Sequence, residues 1–326
     1  MNADERRFNT SHFSQINCAI QDRLKAKTVA GLNLSHISSD DKIGRVLSSA
    51  LKSRLGSDLS YSEFDSYQYW HPEYFNLHQV TIFQDASEEE KAAILHIANR
   101  DLLEEAYFIE KAGMGYMAKM VLLAETIEER MLYALFSSDE VSHFAQISNF
   151  LPPQEVIGKD NAFLSLLEEV AEIADKTVLL FVLQVVLEGW GLSHYRSLAK
   201  SCQNPALSAV FQGFLQDESR HHAAGVTLFE QIAVDDASRD AILQILTLFL
   251  RMVQVGPQGV VAAIEKVKGD LSRQQKIRIF EELDTENHSG SRLNILRSLM
   301  QTEGGQIVQD LEQLGAFQPF SAERCV

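Results

Sequence analysis

Apolar positions along most of this chain recur every three or four residues, the period of an amphipathic α-helix rather than of a strand. The pattern is strongest from Ser87 onward. Ser87 followed by Glu90 is a capping-box signature, so a helix is predicted from there to about Leu123. Gly113 and Gly115 lie inside it and mark a distortion or the close approach of a neighbouring helix. A second helix is predicted from about Thr126 to Phe150, stopping at Pro152-Pro153. A short one near 160–173 leads into a third long helix over 176–201. Asn204-Pro205 opens a fourth that runs to about 232. Further helices are expected near 236–254, 258–267, 271–284, 290–302 and 305–314, with breaks at Gly256-Pro257 and from Asn287 to Gly290.

Ahead of Ser87 the pattern is looser. Amphipathic helices are predicted near 12–28 and 40–56, followed by an aromatic, irregular stretch, YSEFDSYQYWHPEYFNLH. His71-Pro72 disfavours helix locally. His71 and His78 are candidate ligands there, set against the plainer reading of an aromatic loop packed over the core. No alternation is long enough to build a sheet, and 6 prolines and 17 glycines in 326 residues suit helices better than a turn-rich sandwich. The expectation is an all-α protein: residues 1–85 as an N-terminal cap, 86–233 as a central bundle, and 234–326 as a helical extension packed on it in one compact domain.

Charge narrows the partners. A formal net charge of -16 gives nucleic acid and anionic membrane no general electrostatic footing. Basic residues recur between Arg251 and Arg297, as a docking face for an acidic carrier or a reductase, or as a solvated helix surface. Cys18, Cys202 and Cys325 lie far apart, which fits a reducing compartment rather than a disulfide framework. The opening residues lack the apolar core of a signal peptide. The apolar run from Thr177 to Leu192 is interrupted by Gln184 and Glu188 and falls short of the ~20 residues of a bilayer span. It reads as a buried helix of a cytoplasmic protein with no membrane partner.

Two short motifs carry the chemistry. Asp139-Glu140-Val141-Ser142-His143 and Asp217-Glu218-Ser219-Arg220-His221 both read D-E-x-x-H. Three residues make nearly one helical turn, so Glu and His project from one face and can share a metal ion. One copy is weak; two copies in mid-helix, each on an apolar stripe, are much stronger. Phe136, Phe144 and Ile147 supply the first stripe, and Phe211, Phe214 and Gly225 the second. Glu188 is the only acidic residue between Asp175 and Asp217 and sits in VLLFVLQVVLEGWGL, where an unpaired charge would be very costly. It stands 30 residues before Glu218. Glu110 stands 30 residues before Glu140, so E-x29-E-x-x-H occurs twice. With a turn near the middle of each interval, each ligand lies about fifteen residues, or ~22 Å, from its turn. In antiparallel pairs that brings Glu110 beside Glu140 and Glu188 beside Glu218. Glu104 and Glu105 are rivals to Glu110 on the same helix.

This pattern resembles the ferritin-like di-iron carboxylate superfamily, whose four-helix bundles take one Glu from each of two helices and Glu-x-x-His from each of the other two. The resemblance covers roughly residues 90–232. The Asp before each Glu is similar to the D-E-x-R-H signatures of bacterial multicomponent monooxygenases and acyl-carrier-protein desaturases. By that similarity Asp139 and Asp217 orient the ligand histidines. Arg220 matches the family's frequent Arg, while Ser142 stands at the equivalent place in the first motif. Four carboxylates and two neutral imidazoles balance two divalent cations, and oxygen and nitrogen donors without thiolate suit iron or manganese, as Fe/Fe or Mn/Fe.

The implied activity is O2-dependent oxidation of an organic or carrier-bound substrate: hydroxylation, desaturation, N-oxygenation or oxidative C–C cleavage. An external electron donor and a homodimer are implied with it. Phe108, Phe136, Phe181, Trp190, Phe211 and Phe214 are candidate pocket walls. Phe214 stands where the N-oxygenase branch carries an extra histidine, so that branch matches poorly. A ferroxidase or iron-storage protein is a second reading, disfavoured by two full E-x-x-H motifs. A radical-generating ribonucleotide reductase small subunit is a third. It is disfavoured by the 48 residues from Glu140 to Glu188 and by Ile147 where a radical tyrosine is expected. A helical scaffold without metal is the fourth. His222 points about 100° away from His221 around its helix, and His12, His36, His96, His194 and His288 have no spacing that recommends them as ligands.

Overall fold

The computed structural model describes residues 28–56, 69–151, 161–302 and 304–326, and among them there is no strand. The helix expected near 12–28, the Pro152-Pro153 stop, His12 and Cys18 lie outside these residues, Thr28 excepted. The first helix, α1 (Lys42–Leu55), ends on Gly56 in the left-handed region. The aromatic stretch enters at Tyr69 and Trp70, both buried, and turns twice through Pro72–Phe75 and Leu77–Gln79. His71 and His78 are exposed there and belong to no ligand cluster.

Four long helices follow. α2 (Glu88–Leu123) begins on the expected capping box of Ser87 and Glu90. α3 (Ile127–Ile147) begins where Thr126 accepts from the Glu129 amide. After the short α4 (Ala162–Glu172), α5 covers Lys176–Ser201 and α6 covers Pro205–Phe229, started by Asn204 and a proline in its first turn. α2 pairs with α3, α5 with α6, and α3 with α6. α2 and α5 face one another across a cavity.

α5 is not uniform. Leu180–Glu188 forms a π-helical segment between α-helical ends, a widening that the sequence pattern does not announce. Its side chains from Leu180 to Val186 are buried. The helix, 26 residues long, is longer than the apolar run at its centre and by length and composition could cross a bilayer. In the folded chain it packs against α6, α7 (Asp236–Gln254) and α10 (Thr285–Gln301). Gly225 of α6 meets it closely: a Cβ there would sit 2.3 Å from Gln184 Cβ.

α8 (Gln258–Lys268), α9 (Arg273–Glu282) and α11 (Gly305–Gln313) complete the chain with α10. Phe249 of α7, Leu296 of α10 and Leu311 of α11 share one core with Phe181 and Val185 of α5. Val261 and Ile264 of α8 and Phe280 of α9 close a second core around Ile94 of α2. One expectation is corrected here: Asn287 to Gly290 do not break the chain but lie inside α10. The break falls at Asp284, whose φ of 50 places it in the left-handed region, with its carboxylate bound by Asn287 Nδ2. Thr285 and Ser289 are then buried on the inner face, which the helix gains by starting early.

Gly225→Ala is expected to lower stability by about 1–3 kcal/mol, because the added methyl overpacks the α5–α6 contact. Urea denaturation of the variant beside the parent chain checks this; coincident curves would mean that the two helices separate freely.

Candidate metal centre

The six residues marked by motif and spacing meet in one place. Glu110 comes from α2, Glu140 and His143 from α3, Glu188 from the end of the π segment of α5, and Glu218 and His221 from α6. They form two overlapping groups: Glu110, Glu140, His143 and Glu218, and Glu140, Glu188, Glu218 and His221. Within each group one ligand atom per residue lies within 4.8 Å of all the others. Glu140 and Glu218 belong to both, the arrangement of two adjacent metal positions sharing two carboxylates. Of the three rivals on α2, Glu110 enters the cluster. Glu104 is in neither group, and Glu105 accepts instead from Asn161 Nδ2 at 3.0 Å.

The geometry around the histidines fits a pair of cations. His221 Nδ1 lies 3.2 Å from Glu218 Oε2 and 3.3 Å from Glu140 Oε1. His143 Nδ1 lies 3.1 Å from Glu110 Oε2 and 3.3 Å from Glu218 Oε1. Donor atoms bound about 2.1 Å from one ion stand ~3 Å apart along an octahedral edge. Both His221 ring nitrogens and Glu218 Oε2 are buried without a hydrogen-bond partner. Lone pairs pointed at one another in a dry site require a cation between them, as protons or as metal. Oxygen and nitrogen donors with no thiolate match a divalent transition metal.

The titration behaviour of the cluster without metal points the same way. Burial and the charge of Glu218 push Glu140 up to about 8, and the same two causes hold Glu188 well above the usual carboxylate range. Burial would also raise Glu218, but the Glu188 carboxyl and the two histidines beside it outweigh that and hold it low. Burial would depress both imidazoles, but the carboxylates around them win, and both are raised. Protons therefore gather where the metal ions would sit.

The outer ring nitrogens show how the aspartates act. His143 Nε2 faces Asp217 Oδ2 at 3.0 Å, and His221 Nε2 faces Asp139 Oδ2 at 3.6 Å. Each motif's aspartate thus faces the histidine of the other motif, Asp217 within hydrogen-bond distance and Asp139 just beyond it. A proton fixed on Nε2 leaves Nδ1 free to bind metal. Arg220 pairs with Asp217. At the other aspartate Ser142 has no such reach, and the arginine comes from α1. Arg54 Nη2 donates to Asp139 Oδ1 at 2.9 Å, and Arg54 Nε donates to Ser142 Oγ at 2.7 Å. The arginine that the first motif lacks at its fourth position is supplied by a residue 85 positions before Asp139.

Other residues support the cluster; Tyr195 and Gln184 were not assigned such a role from the sequence, whereas the close approach expected at Gly113 is present. Tyr195 donates to Glu110 Oε1; it lies seven residues, two turns, after Glu188 and so on the same face, a signal that was available. Gly113 makes room for Glu140, since a Cβ there would lie 2.5 Å from Glu140 Oε2. Gln184 accepts from Tyr133 Oη at 2.6 Å and donates to the His221 carbonyl at 3.2 Å. His222 Nδ1 bonds the Gln184 carbonyl at 3.0 Å, so His222 supports the π segment and is not a ligand.

The expected pocket walls are corrected in part. Only Trp190 of the six aromatic candidates lines the cavity. Phe214 stacks on His143 at 4.1 Å and Phe136 lies 4.3 Å from His221, walling the histidines from behind. Phe181 packs on Phe229 and Phe211 on Tyr195, while Phe108 is buried in the same core as Phe211. The cavity, about 130 Å³, reaches Glu110, Glu140, Glu188 and Glu218. Its remaining wall is mainly apolar and comes from α2, α4 and α5, with Arg292 of α10. No family model, curated protein or solved structure matches the chain, so the centre is read from its own geometry.

Arg54→Ala is expected to weaken metal binding about 10–100-fold while leaving the helical content unchanged, and Arg54→Lys to recover part of the loss. Calorimetric titration with Mn(II) under anaerobic conditions reads the change. Equal affinity in Arg54→Ala and the parent chain would remove Arg54 from the network.

Proposed function

We propose that this chain is a ferritin-like di-iron protein that uses O2 to oxidise an organic substrate. The observation that carries the reading is the pair of overlapping ligand groups beside an apolar cavity that reaches four of the six ligands. The apolar wall favours an organic substrate over iron transit, because hydrated ferrous ions would lose water against it without compensation. A bound pair of irons would supply the electrons for O2 reduction, and an external donor would restore them.

The chain's own residues do the rest. Glu140 and Glu218 are placed to join the two positions, with Glu110 and His143 completing one and Glu188 and His221 the other. Glu188 is only half-buried and faces the cavity, so it is the ligand with freedom to shift as charge changes. Tyr195 restrains Glu110 through its hydroxyl proton. Asp217, backed by Arg220, keeps the proton on the outer nitrogen of His143, while Asp139, backed by Arg54, faces the outer nitrogen of His221. Phe136 and Phe214 exclude water behind the histidines. Tyr116 Oη is buried with no hydrogen-bond partner and lines the cavity, where it can hand a proton to a group bound there.

Anaerobic loading with Fe(II) is expected to give about two irons per chain by colorimetric assay, followed by O2 uptake at an oxygen electrode. A stoichiometry near zero in folded protein would end this reading. Glu188→Ala and His221→Ala are each expected to abolish the dinuclear site, and His194→Ala to leave it intact. Two irons retained by Glu188→Ala would take α5 out of the centre.

A further inference from the structure

We propose that the cavity takes a compact carboxylic acid, its carboxylate held by Arg292 and His194 and its body against the apolar wall. The reaction of that acid would rest on the di-iron reading, but its binding would not.

The polar end of the cavity has nothing to do with the metal cluster. Arg292 of α10 lines it together with His194 of α5 and Glu105 of α2. Arg292 is exposed: it lines the cavity at a place that solvent also reaches, while the protein packed around its guanidinium pulls its pKa down. No carboxylate of the described residues lies within ion-pair distance of Arg292. Glu105, the acid it senses, is engaged by Asn161 and pushed up by its own burial. His194 adds a second unsatisfied group: its Nε2 is buried with no hydrogen-bond partner. Burial and the nearby Arg292 hold this imidazole down to about 4, so it is a neutral ring that can donate to an anion without carrying charge. A cation without a close counter-ion and an orphaned imidazole nitrogen share one wall of a mostly apolar cavity. A carboxylate satisfies both, and Arg binds it through two parallel hydrogen bonds.

Size and reach follow from the helices. Glu105 precedes Glu110 by five residues and His194 follows Glu188 by six, on helices that face each other. At 1.5 Å per residue the polar end lies ~7–9 Å along the bundle from the metal ligands. The carbon presented to the metals is then about five or six bonds from the carboxylate. A cavity of about 130 Å³ is comparable with the ~150 Å³ apolar cavities that take up benzene. Between Leu183 and Leu187 on one side and Ile109 on the other there is room for one ring or a short branched chain, not for a long acyl tail.

The probes are 3-phenylpropanoate, 3-phenylpropanamide and 3-phenylpropylamine, titrated calorimetrically into the full chain, metal-free and loaded with Fe(II) without oxygen. The acid is expected to bind at least about tenfold more tightly than either comparator in both forms, matching one charge-assisted pair. Arg292→Gln is expected to erase that preference and Arg292→Lys to keep part of it. Tighter binding of the amine would make Glu105 the recognition group and overturn the proposal. So would an acid no tighter than its amide, or an acid preference that survives in folded Arg292→Gln. The comparison among the three probes on the unaltered chain stands even where a variant fails to fold. Iron uptake without acid preference refutes this proposal alone. Acid preference without iron uptake refutes the di-iron reading alone.

Discussion

Four carboxylates that face one another out of water cannot all be ionised without cations between them. That constraint organises the middle of this molecule. Glu110, Glu140, Glu188 and Glu218 arrive from four different helices, and a pair of histidines arrives with them. Each helix must therefore be fixed in rotation as well as position, because a turn of 100° removes its ligand from the cluster. The apolar cores on either side do this fixing. Phe214 and Phe136 press on the two imidazoles, and Gly113 and Gly225 let α2 and α6 come close to their partners. Stability and site geometry are thus the same set of contacts, and a substitution that loosens one loosens the other.

The π segment of α5 shows how the backbone accommodates this demand. A regular helix through Leu180–Glu188 would rotate Glu188 and the residues after it relative to those before Leu180. The wider turn places Glu188 in the cluster and leaves a carbonyl, that of Gln184, for the His222 imidazole to bond. α5 and α2 face one another across the cavity. One local irregularity therefore bears both on the position of Glu188 and on its support from α6.

The centre has an inner layer with the mirror character of the two motifs and an outer layer without it. Asp217 and Asp139 exchange partners across the pair of helices, each facing the other motif's histidine, Asp217 within hydrogen-bond distance and Asp139 just beyond it. Beyond them the two halves diverge. Arg220 is one turn from its aspartate on the same helix, whereas Arg54 comes from α1. The position of α1 is consequently coupled to Asp139, which faces His221.

The sequence alone determined most of the described helices, because their periodicity and caps are local, and it marked the six residues that meet in the cluster, because E-x-x-H spacing and equal distances from a turn are properties of one or two helices. The break before α10 escaped it. Asn287 and Gly290 read as punctuation, yet burial of Thr285 and Ser289 overrode their weak propensity and moved the break to Asp284. The choice among Glu104, Glu105 and Glu110 was narrowed by spacing and made by packing. The aromatic residues of the bundle could not be sorted into core and cavity wall, since both are apolar faces of the same helices and only the gap between α2 and α5 distinguishes them. Arg54 at Asp139 and Arg292 in the cavity were likewise beyond reach. Each meets its neighbours across a separation in sequence that carries no periodic signal, and only the folded chain brings them there.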